Sequence, residues 1–282
     1  MTTRAVLSAA ALLSLASASA RAQYVAPHKR PATGAEVLGV NVLLGGATAM
    51  VRAFFTGADP LRAFAIGSLG GAVHLAGKYV AVQAGPGLGW AGLAIAGTGT
   101  SVVSNAGRGV SPLAEVTVPL PGLRFRVTPG AERRVRVVLN AYEAISVAQY
   151  ALHDDVRVDW AQTTASGTMV FVTDEKHIMF DDSRVHGVAV GPVAIISEFA
   201  LDAPATARHE IVHVHQSWFA QEVWGRPIED AVRSRLPFGD RIPAWLELGI
   251  GAPGLFILEH ELVGRRGTRL LKEAEASLLE RR

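Results

Sequence analysis

The sequence predicts an α+β protein that begins with a Gly/Ala-rich helical bundle. Three observations carry this. Between Gly34 and Gly109 the chain is rich in Gly and Ala and nearly free of charge, in three apolar stretches suited to helices. From Leu113 onward, short apolar or alternating runs are separated by Pro/Gly turns, which is the pattern of strands. From Ala205 to Val223 there is neither Gly nor Pro, and polar and apolar residues fall on different sides of a 3.6-residue period, which is the pattern of a helix.

The chain divides into four segments. Residues 1–22 read as a signal peptide. Arg4 supplies a positive start, Ala5 to Ala16 an apolar core, and Ala18-Ser19-Ala20 and Ala20-Arg21-Ala22 two small-x-small cleavage sites. The expected location is therefore outside the cytoplasm: periplasm, cell envelope or secreted. Residues 23–33 form a polar linker with two prolines, expected to be extended. Residues 34–112 are the helical region, and residues 113–282 a domain of strands and helices.

In the helical region, Val37 to Val51 is bounded by Glu36 and Arg52, and Ala63 to Gly77 by Arg62 and Lys78. A third candidate runs from about Leu88 to Ser104. The first two are shorter than the usual span of about 20 residues. Small residues recur four apart, as at Gly67 and Gly71, which lets helices approach closely in lipid or in a tight soluble core. Two readings stand: a soluble or peripheral bundle against the C-terminal domain, or membrane association through residues 34–107. Asn41, His74 and Gln83 would face lipid poorly. His74 has no motif partner and reads as a packed or surface residue.

Strands are expected at Glu115 to Pro119, Leu123 to Val127, Val135 to Leu139, Val156 to Val158, Met169 to Val172 and Val193 to Ser197. A helix is expected from Asn140 to Leu152. Together they predict one twisted antiparallel or mixed sheet, followed by a helix and further helices.

That later helix carries His209-Glu210-Ile211-Val212-His213, an H-E-x-x-H sequence. Residues four apart on a helix share a face, so two imidazoles there can hold one Zn2+. Glu210 lies beside such an ion and can take a proton from water that the ion has acidified. Asp202 and Pro204 are helix-start signals just upstream. Gln216 falls on the same side as the two imidazoles, where it can hydrogen-bond the site or a substrate. His215 points roughly the opposite way and reads as a packing or exposed residue.

On the residues His209 to Gln216 the chain resembles the zincin metallopeptidases. The metzincin subtype is out, because Gln216 and Phe219 stand where it carries Gly and His. The remainder resembles the gluzincin type and several bacterial exported families of H-E-x-x-H-x-x-Q form. The resemblance implies a zincin-like sheet plus active-site helix, a peptide or protein substrate paired against an edge strand, and a third ligand from a later Glu. Residues 188–199 can supply that strand, unless it is buried at the centre of the sheet. The E-x-E-A pattern of those families matches Glu273-Ala274-Glu275-Ala276, so Glu273 is the expected third ligand. Glu247, Glu229 and Glu275 are alternatives. The Glu247 segment is similar to the gluzincin W-L-x-E-G, but its Glu comes one residue early, a rotation of about 100° on a helix. Glu222 is too far along the motif helix to bend back.

Composition narrows the classes. With 27 basic and 25 acidic residues, the net charge of +2 is too small and dispersed to suggest nucleic acid. There is no Cys, which excludes disulfides, Cys nucleophiles and Cys-type zinc sites. The expectation is an exported zinc-dependent hydrolase, a metallopeptidase with His209 and His213 on the ion and Glu210 as general base. The other class is a non-catalytic exported or membrane-associated structural protein, with a vestigial or structural metal site. Glu210 separates them, because a structural site needs the two His but not the Glu. His177, His186, Tyr142, Tyr150 and Arg184 are candidates to polarise a carbonyl, with nothing to single one out.

Overall fold

The computed structural model describes residues 33–83, 87–132, 134–180, 183–249 and 275–276. The signal-peptide and linker expectations, apart from Thr33, and Glu273 lie outside the described residues. The protein is α+β, as expected.

Three long helices come first: α1 (Gly34–Thr56), α2 (Pro60–Gln83) and α3 (Leu88–Gly107). The first two extend past the charges that were expected to bound them, because those charges are accommodated. Arg52 donates to Ser104 Oγ at 2.8 Å, and Lys78 is buried against a carboxylate. Thr33 starts α1 with a capping box to Glu36. The helices touch through glycine. A Cβ at Gly70 would lie 2.8 Å from the Gly99 carbonyl oxygen, and one at Gly45 would collide with the backbone of Gly67 and Gly71. Larger residues at these positions would push the helices apart.

The rest of the chain forms two four-stranded sheets and a hairpin, where a single sheet was expected. In the first sheet, β1 (Val116–Leu120), β2 (Leu123–Val127) and β3 (Val135–Asn140) are antiparallel, and β10 (Leu246–Glu247) joins β3 in parallel. Helix α4 (Ala141–Ala151) follows β3 and is capped by Asn140. The second sheet has the order β4-β5-β9-β8, with β4 (Val156–Val158), β5 (Met169–Thr173), β8 (Gly187–Val190) and β9 (Val193–Ser197). A short helix α5 (Trp160–Ser166) lies between β4 and β5, and the hairpin β6 (Ile178–Phe180) and β7 (Ser183–Val185) precedes β8. Strands β5 and β9 are parallel; β4 and β8 are antiparallel edges. The segment weighed as substrate strand therefore divides. Val193–Ser197 is central and buried throughout, whereas Gly187–Val190 is an edge.

Helix α6 (Ala203–Ala220) carries the motif and packs on both halves of the molecule. Ile211, Val212 and Val214 meet Val170, Ala194 and Ile196 of the second sheet and Val82 and Leu93 of the bundle. Phe219 and Val223 meet Ala49, Ala63 and Val103 at the far end of the bundle. The helix runs on through a π-helical turn (Gln221–Gly225) into α7 (Arg226–Arg233). The other face of the second sheet, with Phe171, Val188 and Ile195, is covered by Val147 and Tyr150 of α4.

Candidate functional site

Helix α6 starts at Asp202, whose side chain accepts from Ala205 N at 2.9 Å, with a proline in the first turn. From that start, the helical period places His209, His213 and Gln216 half-buried on one side and Ile211, Val212 and Val214 in the core. His209 Nε2 and His213 Nε2 converge to 3.2 Å, with ring planes at 73°. Two nitrogens on a tetrahedral zinc, each about 2.0–2.1 Å from it, stand about 3.3 Å apart. The pair fits one ion.

The orientation of His213 is set from outside. Glu275 sits in the middle of a buried chain of polar groups. Lys78 forms an ion pair with it, Asn41 Nδ2 donates to its Oε1 at 3.0 Å, and Gln216 Nε2 donates to its Oε2 at 2.6 Å. Burial pushes the Glu275 carboxyl up, but Lys78, with Gln216 and Asn41, outweighs that and holds it below the ordinary carboxylate range. It is therefore ionised and only accepts. Gln216 must turn its NH2 to Glu275 and its Oε1 to His213 Nδ1, 2.9 Å away. His213 Nδ1 then carries the proton, and its Nε2 lone pair faces His209. Hydrogen bonds of this kind fix the tautomer of imidazoles that ligate metals in general, and the arrangement leaves His213 Nε2 able to do so.

Glu210 is buried beside the first residue of the edge strand β8. A Cβ at Gly187 would lie 2.9 Å from Glu210 Cγ and 3.0 Å from its Oε1. Glycine there lets the strand come against the motif helix.

The alternative third ligands are engaged elsewhere. Glu275 is one residue removed from the imidazoles, with Gln216 between. Glu247 pairs with Arg126 on β2. Glu229 accepts from the backbone N–H of Leu248 at 2.6 Å and of Gly249 at 2.8 Å. Glu222 binds Arg226 at 2.9 Å. Among the described residues no group of three or more His, Asp or Glu is placed to hold a metal. Glu273 lies outside them.

The carbonyl-polarising candidates are dispersed. Tyr150 packs on Phe171, on the sheet face turned away from α6. The His177 and His186 rings lie against each other, centroids 5.0 Å apart and planes tilted by 50°. Tyr142 lies by Gly191. Of the other His, His215 is buried, its ring 5.5 Å from that of Trp218, and burial pulls its pKa down to about 3. His74 is buried too, with Nδ1 3.1 Å from Ala96 O, and its ring 4.9 Å from that of Phe219. Both are packing residues.

Sequence reasoning missed Lys78 and Asn41. The signal was there: Lys78 is the one charge between Arg62 and Arg108, in chain otherwise built of Gly, Ala and apolar residues. No protein family, curated protein or solved structure matches this chain.

Proposed function

We propose that the protein is an exported zinc-dependent hydrolase, a metallopeptidase of zincin-like type. The observation that carries this is the convergence of two Nε2 atoms one helical turn apart, with one imidazole's tautomer set by Gln216 and Glu275. His209 and His213 hold the ion, and Glu273 is the proposed third ligand. A bound Zn2+ supplies Lewis acidity, polarising the scissile carbonyl and lowering the pKa of water. Glu210 takes the proton from the attacking water and passes it to the leaving amine nitrogen. Gln216 holds His213 in register. The edge strand β8, beside Glu210, aligns an extended peptide by strand addition. Export rests on the pattern of residues 1–22.

The test is direct. Zinc is measured by mass spectrometry on the purified chain, and hydrolysis on a fluorogenic peptide mixture. Glu210→Gln is expected to keep about one zinc per chain and lose roughly 10²–10⁴-fold in rate. His209→Ala is expected to lose the metal. Unchanged turnover in Glu210→Gln, or full zinc in His209→Ala, rejects the mechanism. Stoichiometric zinc with no hydrolysis in the unaltered chain selects the structural-site reading instead.

A further inference from the structure

The bundle is packed inside out for a protein surrounded by water. Its small residues are inside: Gly45, Gly67, Gly70, Gly77, Gly92 and Gly99 touch neighbouring backbone or Ala. Val82, Leu93 and Val103 are buried, but many of the large apolar residues of α1 and α2 face outward. On α2 the exposed stripe is Ala65, Leu69, Val73, Ala76 and Tyr79, and Leu69 is 68% exposed. On α1 the outward line is Val40, Leu43, Ala47, Met50 and Phe54, with Leu43 60% exposed and Phe54 56%. Each line continues for about 20 Å without a charged side chain. The helix facing solvent in a soluble bundle would carry its charges there.

We infer that this α1–α2 face lies in the interface of a lipid bilayer, as a monotopic attachment. Three features favour lipid over a second protein. The centre of the face is aliphatic, whereas a protein interface concentrates Tyr, Trp and Arg at its centre. Phe54 and Phe55 stand at one end of it and Tyr79 at the other, exposed aromatic side chains of the kind that settle at headgroup level. Glycine-mediated helix contact with large side chains outward is the packing of helices in an apolar surrounding. The bundle does not span. Its opposite side is covered by β1 and α6, next to the buried arginines of β2, so lipid cannot ring it. Helix α1 has the length and composition of a membrane span, and lying flat it presents half its circumference to the acyl chains.

The full chain, purified and freed of detergent, is floated with phosphatidylcholine vesicles, with and without phosphatidylglycerol. Most of the protein is expected to rise with either vesicle, differing less than twofold, because the face is uncharged. A triple variant Leu43→Gln, Leu69→Gln, Val73→Gln alters only exposed positions, and its fold is checked by circular dichroism. Its vesicle-bound fraction is expected to fall at least tenfold. The inference is overturned if the unaltered chain stays at the bottom of the gradient, or if it binds only anionic vesicles. It is also overturned if light scattering shows a dimer that the triple variant converts to monomer.

Discussion

Two buried ionic networks flank the motif helix, and they differ in what they reach. One joins the first sheet to the π-turn. Arg124 pairs through two nitrogens with Glu143 and donates to Gln221 at 3.0 Å; Arg126 pairs with Glu247; Arg226 binds Glu115 at 2.7 Å and Glu222 at 2.9 Å. Acid answers base throughout, and its bonds join the first sheet, α4, the π-turn and α7. The other network, Lys78, Asn41, Glu275 and Gln216, reaches the His213 ring and through it His209. A buried carboxylate is thus a poor guide to a metal ligand. The informative property is the group its hydrogen bonds reach.

This difference can be broken from either side. Arg124→Met leaves Glu143 buried and unpaired, which costs about 3–5 kcal/mol. The melting temperature should drop by roughly 10 °C, with zinc affinity unchanged in the folded protein. Lys78→Met should cost about the same in stability, because it strands Glu275, and should also weaken zinc 10–100-fold. Removing both partners, Lys78→Met with Glu275→Leu, should recover most of the stability and none of the affinity. Calorimetric melting beside competitive zinc titration reads both. A zinc loss in Arg124→Met equal to that in Lys78→Met would erase the distinction.

What the sequence made legible follows the range of the forces involved. The motif helix, its start at Asp202 and the side shared by His209, His213 and Gln216 are local, set by helical period and capping. Strands Leu123–Val127, Val156–Val158 and Val193–Ser197 appear where their own alternation or apolar run placed them. The split into two sheets was not legible, because strand pairing joins residues far apart in the chain. Nor was the direction of β2. Its inward positions are Arg124 and Arg126, not Leu123 and Phe125, because Glu143, Glu222 and Glu247 arrive from three other elements to neutralise them. Lys78 misled for the same reason. A charge reads as a helix boundary until its partner, nearly two hundred residues away by the sequence numbering, is placed beside it.

Acid should sharpen the comparison. His215 is buried and neutral, with its pKa lowered to about 3 by burial first and Lys78 second. An unfolded His titrates near 6.5. Between those values the unfolded chain holds a proton that the folded one refuses, so stability is full above about 6.5 and falls by about 1.4 kcal/mol per pH unit below it. At pH 5 that is about 2 kcal/mol. His74, lowered by burial and Lys78, adds in the same sense. Glu275, held below the ordinary range by Lys78 against its burial, contributes stability that is lost only at lower pH, as its folded pKa is crossed. Urea unfolding at pH 7, 6 and 5 measures the slope. His215→Gln should flatten it by about one proton's worth, and an unaltered slope would show that the buried imidazole is not its source.

The smallest expected effect is the most specific. Gln216→Met removes the acceptor for His213 Nδ1 while keeping the length of the side chain. The ring then loses the partner that chose its tautomer, and zinc affinity should weaken by about tenfold, the low end of outer-shell effects. Global stability should change by only about 1 kcal/mol, the scale of one hydrogen bond. Affinity alone would not separate orientation from general loosening, so the second readout is the ring nitrogen itself. In the unaltered apoprotein, the nitrogen resonances of His213 should report a proton on Nδ1, because Glu275 fixes the Gln216 amide and the amide fixes the ring. In Gln216→Met they should report a mixture of both tautomers. Should the ring keep a single Nδ1–H tautomer without Gln216, the network that reaches His213 would be holding the helices together, as its counterpart does, and not setting the imidazole.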